Sequence, residues 1–292
     1  MKKVNFLAIL AVSFGLTMLG SCTSDLTSGA DASITATATD GDQMASINDE
    51  VVSSADDYVN AIDASGYMAV SSNFENSGTQ RAPITKNIDG VIITIDNAGN
   101  VYPKNICIDF GTTGITAKRG NILKGKIYIT VSNKMSIANS TRTITYSNFF
   151  VNDNQVMGTK TVVYNGETLG KPSWTTTAVD TILRADGKKI TFSSTRTRTR
   201  TDNNGTPLIY WDDTYSITGS STGVNAKGVA YTMVIDETKP LVSVGGFKYF
   251  VSGSVIITSE NRSAVLDYGD GARDNKATIT VNGVTKNITL KK

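Results

Sequence analysis

The segment best suited to binding a ligand is a strand-like run in which threonine and arginine alternate, Ser194-Thr-Arg-Thr-Arg-Thr-Arg-Thr201. Successive side chains of a strand point to opposite faces, so Arg196, Arg198 and Arg200 are predicted to share one face. Three guanidinium groups in a row fit a carboxylated or sulfated glycan, a lipid head group or an acidic protein. The simpler interpretation is a wetted face that pairs with carboxylates of neighbouring strands or of the acidic N-terminal segment.

A second group of candidate ligands is the loop that carries Asp267, Asp270 and Asp274 with glycines between them. Carboxylate oxygens on a flexible loop are what calcium prefers, and this predicts a metal site. The spacing differs from that of an EF-hand, however, and Arg273 adds a positive charge to the loop. A tight turn held by local hydrogen bonds of the aspartates is the favoured alternative.

The chain lacks the residues on which most catalytic sites depend. It has no histidine, which removes Ser-His and Cys-His arrangements and the common zinc sites. No glycine-rich loop precedes a helix in the way that phosphate binding requires. Two carboxylates can act as acid and base, but no spacing singles out a pair. We therefore expect a protein that is not an enzyme and holds no cofactor.

The first 22 residues predict where the protein resides. Lys2 and Lys3 precede an apolar run from Val4 to Leu19, which is typical of a secretory signal peptide. The run ends in Leu19-Gly-Ser-Cys22, which resembles the bacterial lipobox, whose cysteine is acylated with chains such as palmitate. This predicts a signal peptide over residues 1–21 and a lipid on Cys22. The expected location is the outer membrane, at the cell surface or the periplasmic face.

The charges of the chain are divided between two regions of opposite sign. From Cys22 to Gln80 there are ten acidic residues and no lysine or arginine, and from Arg81 onward there are 26 basic and 16 acidic residues. The acidic segment is either a removable cover over a basic sheet or a solvated tether, and a tether is favoured for residues 23–44. Nucleic acid is a poor partner for a mature chain that is neutral overall and lies outside the cytoplasm.

The segment between the tether and the sheet predicts one helix. Residues 22–44 are expected to be the lipid anchor and a disordered acidic tether, and residues 45–80 an amphipathic helix with a linker. Apolar residues recur at helical spacing over residues 46–64, and the acidic residues fall on the remaining faces. The helix is expected to pack on the β domain, or alternatively to act as a lid over a cavity.

Residues 81–292 predict an all-β domain of long strands. Runs rich in Thr, Val and Ile are separated by Asn-Gly and Asp-Gly turns, which favours an antiparallel meander. Ile127, Ile129 and Val131 are expected to face the core, opposite Lys126, Tyr128 and Thr130. Cys107 is expected to be a small buried strand residue. The sheet is predicted to form a curved sheet, a sandwich or an open barrel.

Several motifs of the β region resemble a group of uncharacterised Bacteroidota outer-membrane lipoproteins. The motifs are Ile108-Asp-Phe-Gly111, Lys124-Gly-Lys-Ile-Tyr-Ile-Thr130, Phe149-Phe-Val-Asn152, Met157-Gly-Thr159, the Thr-Arg run, Asp213-Thr-Tyr-Ser-Ile-Thr-Gly219 and Asp267-Tyr-Gly-Asp-Gly271. The resemblance covers most of residues 90–290. It implies an envelope location and an all-β architecture, and it implies no activity.

The sequence therefore favours a membrane-anchored lipoprotein that binds or displays a partner at the cell envelope without catalysis. The expected partners are the membrane, through the N-terminal lipid, and an acidic glycan, lipid or protein ligand. One alternative is a lipid- or lipoprotein-handling carrier whose β trough is covered by the 46–64 helix. Another follows from a resemblance to lipidated fimbrial subunits of Bacteroidales, which implies maturation by cleavage after Arg81.

Overall fold

The fold is one long helix followed by a single antiparallel sheet. A computed structural model describes residues 29–64, 83–96, 101–206 and 212–290. The helix is α1 (Gly29–Ala64). The strands are β1 (Ile84–Ile88), β2 (Val91–Ile95), β3 (Lys104–Asp109), β4 (Ile115–Thr116), β5 (Ile122–Val131), β6 (Thr141–Val151), β7 (Asn154–Thr168), β8 (Lys171–Leu183), β9 (Lys189–Asp202), β10 (Thr214–Val224), β11 (Ala230–Ile235), β12 (Leu241–Val244), β13 (Ser252–Ser259), β14 (Arg262–Asp270), β15 (Lys276–Val281) and β16 (Val284–Thr289).

The strands follow one another across the sheet almost in chain order. The path runs from β1 to β16, with β4 added beside β5 and β12 beside β10 and β13. Short turns make this order possible: Asn282 and Gly283 both have positive φ (52° and 79°) and join β15 to β16 as a two-residue hairpin. The predicted all-β class, an antiparallel meander with one N-terminal helix, is confirmed.

One face of the sheet forms the core. In β5, Ile127, Ile129 and Val131 are buried, whereas Tyr128 and Thr130 are exposed, as their alternation predicts. The same period runs through β2, β3, β13 and β15, and their inward side chains join one hydrophobic cluster with the helix. The long strands therefore have one apolar inner face and one outer face rich in threonine.

Helix α1 lies inside the curve of this sheet. It has 36 residues, which corresponds to about 54 Å at 1.5 Å per residue. No residue between Asp40 and Val59 is exposed, and side chains on different sides of the helix contact β6, β9 and β14. An element that is covered from several sides by successive strands requires the sheet to bend around it.

Helix α1 is longer than the sequence predicts. The apolar pattern predicts a helix over residues 46–64 with a disordered tether before it, but α1 begins at Gly29, so the tether prediction is wrong from that residue on. Its first half is rich in threonine and aspartate, which are weak helix formers, so tertiary packing stabilises it. Thr35, Thr37 and Thr39 also donate hydrogen bonds to the carbonyl four residues earlier, at 2.8–3.1 Å.

Two Asp-aromatic-Gly motifs, Asp109–Gly111 at the end of β3 and Asp267–Gly269 in β14, hold strands from opposite ends of the sheet against the helix. In each, the aspartate accepts a hydrogen bond from the glycine amide, at 2.9 Å for Asp109 and 2.8 Å for Asp267. The aromatic residue between them is buried. The Phe110 ring packs edge-on against Tyr58 of α1 at a centroid distance of 5.7 Å, and the Tyr268 hydroxyl donates to Asp42 of α1 at 2.8 Å.

Within the described ranges, no helix combines the length and the apolar character that crossing a bilayer demands.

Candidate functional site in the charged interior

The middle strands of the sheet place several charged side chains on the inner face, where most inward side chains of the strands toward the edges are apolar. Arg142 on β6, Lys160 on β7, and Arg196 and Arg198 on β9 are all buried. Burying a charge is costly unless it is paired and hydrogen-bonded. The partners of three of these four cations lie on the helix or on a neighbouring strand, and together with the helix carboxylates they make up the charged interior.

Asp56 of α1 is the centre of the largest charge cluster. Its carboxylate contacts Arg142 and also accepts a hydrogen bond from Nη2 of Arg198 at 2.5 Å. The Arg198 guanidinium is stacked 4.4 Å from the ring centroid of Tyr215 and 5.5 Å from that of Trp174. Two strands, β6 and β9, are thereby joined to one helix residue.

Lys160 forms a second buried pair next to the helix. Its ammonium group contacts Asp180 on β8 and donates to Oδ1 of Asn48 on α1 at 2.7 Å. Burial lowers the pKa of Lys160 and raises the pKa of Asp180, because both charged forms lose hydration. The pair therefore depends on the direct contact between its members.

Five other helix carboxylates are held by partners around the sheet. Each of these pairs joins one helix side chain to a strand or a turn: Asp31 with Arg262 at 2.5 Å, Asp40 with Arg184 at 3.0 Å, Asp42 with Tyr268 at 2.8 Å, Asp49 with Arg119, and Glu50 with Asn121 at 2.7 Å. Asp49, Glu50 and Asp56, which fall outside the apolar face of the predicted helix, are thus engaged inside the protein.

The predicted arginine row shares one face, but that face is turned inward. Arg196 and Arg198 are buried. Arg200 is partly buried, and Nη1 of its guanidinium lies 3.4 Å from Oδ2 of Asp213. An external acidic glycan or lipid head group does not reach this row, so the surface-ligand prediction is wrong for Arg196 and Arg198. The alternative of pairing with neighbouring carboxylates and with the acidic segment holds for Arg198 and Arg200.

The three aspartates of the predicted calcium loop do not converge. The described residues include no group of three carboxylates or cysteines that could hold a metal ion. Asp267 accepts from the Gly269 amide, and Asp274 accepts from the Lys276 amide at 2.9 Å, while Asp270 ends β14 in an exposed position. The loop is therefore a turn with local side-chain hydrogen bonds, which was the alternative interpretation.

The two cysteines lie in different situations. Cys22, the predicted lipidation site, falls outside the described residues. Cys107 was expected to be buried, but it lies on the outer side of β3 and is partly exposed. Burial of the thiol, although partial, raises its pKa, so the reactive thiolate is disfavoured at neutral pH.

A small cavity of about 200 Å³ lies between the C-terminal part of α1 and the turns after β1 and β4. Asp57 and Tyr58 line it from the helix, opposite Ile88, Asp89 and Lys118. Burial raises the pKa of Asp57 to about 7, and repulsion from Glu50 adds to this effect. Lys118 is engaged by Asp89 at 3.4 Å. Asp57 therefore changes its charge near neutral pH.

An open groove of about 680 Å³, the outer groove, crosses the outside of β8–β11 and β13. Its walls are formed mainly by small hydroxylated and β-branched side chains, such as Thr181, Ser193, Thr222, Thr232 and Thr258. Glu260 stands at one end. Its lining is almost uncharged, in contrast with the interior behind it.

No sequence motif marks the residues that define the charged interior, chiefly Arg142, Lys160 and Asp56. Each is a single charge in an ordinary strand or helix pattern, with no motif around it. The signal that does point to them is the charge division of the chain, because an acidic segment without any cation requires cations elsewhere.

Comparison with known proteins gives no match to any protein-family model, curated protein or solved structure.

Proposed function

We propose that this chain is a lipid-anchored protein of the bacterial cell envelope that binds or displays a partner without catalysing a reaction. The signal-like residues 1–21 and the lipobox-like Cys22 support the anchor. The observation that carries the proposal is the position of α1. The helix begins seven residues after Cys22, and buried ion pairs hold it inside the sheet.

The position of α1 limits the distance between the folded domain and a bilayer that holds the lipid on Cys22. Seven residue steps separate Cys22 from Gly29, and a fully extended chain of that length spans at most about 25 Å. A disordered tether that reached residue 44 would span about 80 Å. A lipid on Cys22 therefore holds the sheet close to the membrane, and a pull on the lipid acts directly on the core helix.

The same arrangement favours partner binding on the outside of the sheet. The inner face is covered by α1, whose Ala38, Val51 and Ala55 have no exposed surface. The carrier alternative requires the helix to leave, which would strip Arg142 and Lys160 of helix partners. The fimbrial alternative, with cleavage after Arg81, also removes α1 from the core. Binding at the outer face needs neither step.

Metabolic labelling tests the anchor with a control that the chain itself provides. Cells that express the full chain are fed an alkyne-tagged palmitate, and the purified protein is examined for the tag. The wild type and Cys107→Ser are expected to carry the tag, while Cys22→Ser carries none and moves from the membrane fraction to the soluble fraction. An untagged wild type, or a tag that depends on Cys107, would refute the proposal.

A further inference from the structure

Arg196 on β9 is a buried cation of the inner face for which the described residues provide no ion pair. It is 5% exposed, and its Nε has no hydrogen-bond partner. Its neighbours in the alternating strand differ, since Arg198 pairs with Asp56 and Arg200 with Asp213. A buried guanidinium without a counter-charge costs several kcal/mol and calls for a partner.

Three further buried groups without a hydrogen-bond partner lie on the strand of Arg196 and on the two strands that follow it in the sheet. They are the hydroxyls of Ser194 on β9, Ser221 on β10 and Tyr231 on β11. Ser194 and Ser221 are directly opposite each other in the β9–β10 register, so their Cβ atoms lie about 5 Å apart. Most buried polar groups in proteins are satisfied, which makes four orphans on three adjacent strands a feature to be explained.

The four groups lie in one region of the inner face. The guanidinium carbon of Arg196 lies 5.5 Å from the ring centroid of Phe192, so the side chain extends back along β9 past Ser194. Phe192 pairs with Gly223, and a Cβ on Gly223 would lie 2.8 Å from the Tyr231 hydroxyl. The Tyr231 hydroxyl therefore reaches the position toward which the Arg196 guanidinium points.

The nearest carboxylates are committed to other partners. Asp42 and Asp49 of α1 act on Arg196 from beyond ion-pair distance and favour its charged form. Asp42 accepts from Tyr268, and Asp49 pairs with Arg119. Burial lowers the pKa of Arg196 and raises the pKa of Tyr231, which fits a shared, poorly hydrated environment.

We propose that Arg196, Ser194, Ser221 and Tyr231 bind a small monovalent anion of the halide class, such as chloride, between the sheet and α1. All four groups can donate a hydrogen bond, and the guanidinium cannot accept one. A single anion satisfies the donors together and also supplies the missing negative charge. The site is independent of the proposed anchoring function, because it rests on the interior alone.

Bromide, which substitutes for chloride, provides a direct structural test. Crystals of the protein grown or soaked in sodium bromide are measured at the bromine absorption edge. The expected result is an anomalous peak within hydrogen-bonding distance of Arg196 Nε and the Tyr231 hydroxyl. No peak there, or an Arg196 side chain that has turned to pair with Asp42, overturns the proposal.

A solution measurement keeps the test independent of crystal conditions. The thermal midpoint is followed as chloride replaces gluconate at constant ionic strength, and it is expected to rise for the wild type, since a ligand that binds the folded state stabilises it. Tyr231→Phe is expected to weaken this chloride dependence and Arg196→Met to abolish it. Tyr146→Phe is the matched control, because the Tyr146 hydroxyl is also buried without a partner. Equal chloride dependence in all four proteins would contradict the assignment.

Discussion

Arg198 and Asp56 form a buried ion pair between residues 142 positions apart in the sequence, with Nη2 and Oδ2 2.5 Å from each other. The arginine belongs to the alternating strand for which a surface ligand and pairing with the acidic N-terminal segment were the two interpretations. The contact with Asp56 is of the second kind. It also explains why the acidic segment and the basic sheet have balanced charges, since each supplies partners for the other.

Loss of the Asp56 carboxylate should strongly destabilise the fold. Asp56→Asn leaves Arg142 and Arg198 buried without their counter-charge, and we expect the free energy of unfolding to fall by about 3–5 kcal/mol. Urea denaturation followed by circular dichroism measures this change. Asp153→Asn is the control, because it removes an exposed partner of Lys124 and should cost less than about 1 kcal/mol. Similar losses in the two variants would argue against a structural role for the buried cluster.

The pair of Lys160 and Asp180 should show strong coupling. Lys160→Met strands the Asp180 carboxylate, whose Oδ1 already lacks a partner, and is expected to cost about 3–5 kcal/mol. The double variant with Asp180→Leu removes both charges and should recover more than half of that loss. A double-mutant cycle of unfolding free energies gives the coupling directly. Additive losses would mean that the two groups do not interact.

Asp57 should make stability depend on pH between 4 and 8. Its pKa in the folded protein is about 7, against 3.8 for an unperturbed aspartate, so folding favours the neutral acid. The stabilisation is complete below pH 3.8 and is lost as the pH rises through 7, by on the order of 4 kcal/mol. Asp57→Asn should therefore be more stable than the wild type at pH 8.5, and the difference should shrink toward pH 5.

Chemical denaturation at closely spaced pH values tests this assignment. Asp186→Asn serves as the control of opposite sign, because the Lys188 amide and side chain lower the pKa of Asp186. That stabilisation is present above pH 3.8 and is lost as the pH falls, so it does not vary between pH 5 and 8. An Asp57→Asn variant with the same pH profile as the wild type would exclude Asp57 as the source.

The substitution Gly41→Ala should show whether helix propensity or packing against the sheet decides the stability of α1 at this position. In an isolated helix, Gly41→Ala would stabilise by about 1 kcal/mol. Here the new Cβ would lie only 2.3 Å from the sulfur of Met233, so we expect a net loss of about 1–3 kcal/mol. Thr39→Ala at an exposed position of α1 is the control and should be neutral or slightly stabilising. Stabilisation by Gly41→Ala would show that α1 is not packed tightly against β11.

The sequence predicts the sheet better than the interior. Period-two alternation and Asn-Gly turns predict the long antiparallel strands and the inward side chains of β5, because both signals are local. Alternation also groups Arg196, Arg198 and Arg200 correctly, but it does not determine which face is buried. That choice depends on α1, whose first half has weak local propensity and is stabilised by contacts with residues far away in the chain.

Helix α1 is an integral part of the core and is not a removable cover. A specific protease site inserted directly after Arg81 separates the helix from the sheet without changing a described residue. Native mass spectrometry of the cleaved protein is expected to show the N-terminal fragment, which carries α1, still bound to the sheet at a ratio of one to one. Asp56→Asn should weaken this complex, and Asp153→Asn should not. A fragment that dissociates and leaves a soluble sheet with an unchanged circular dichroism spectrum would contradict the account.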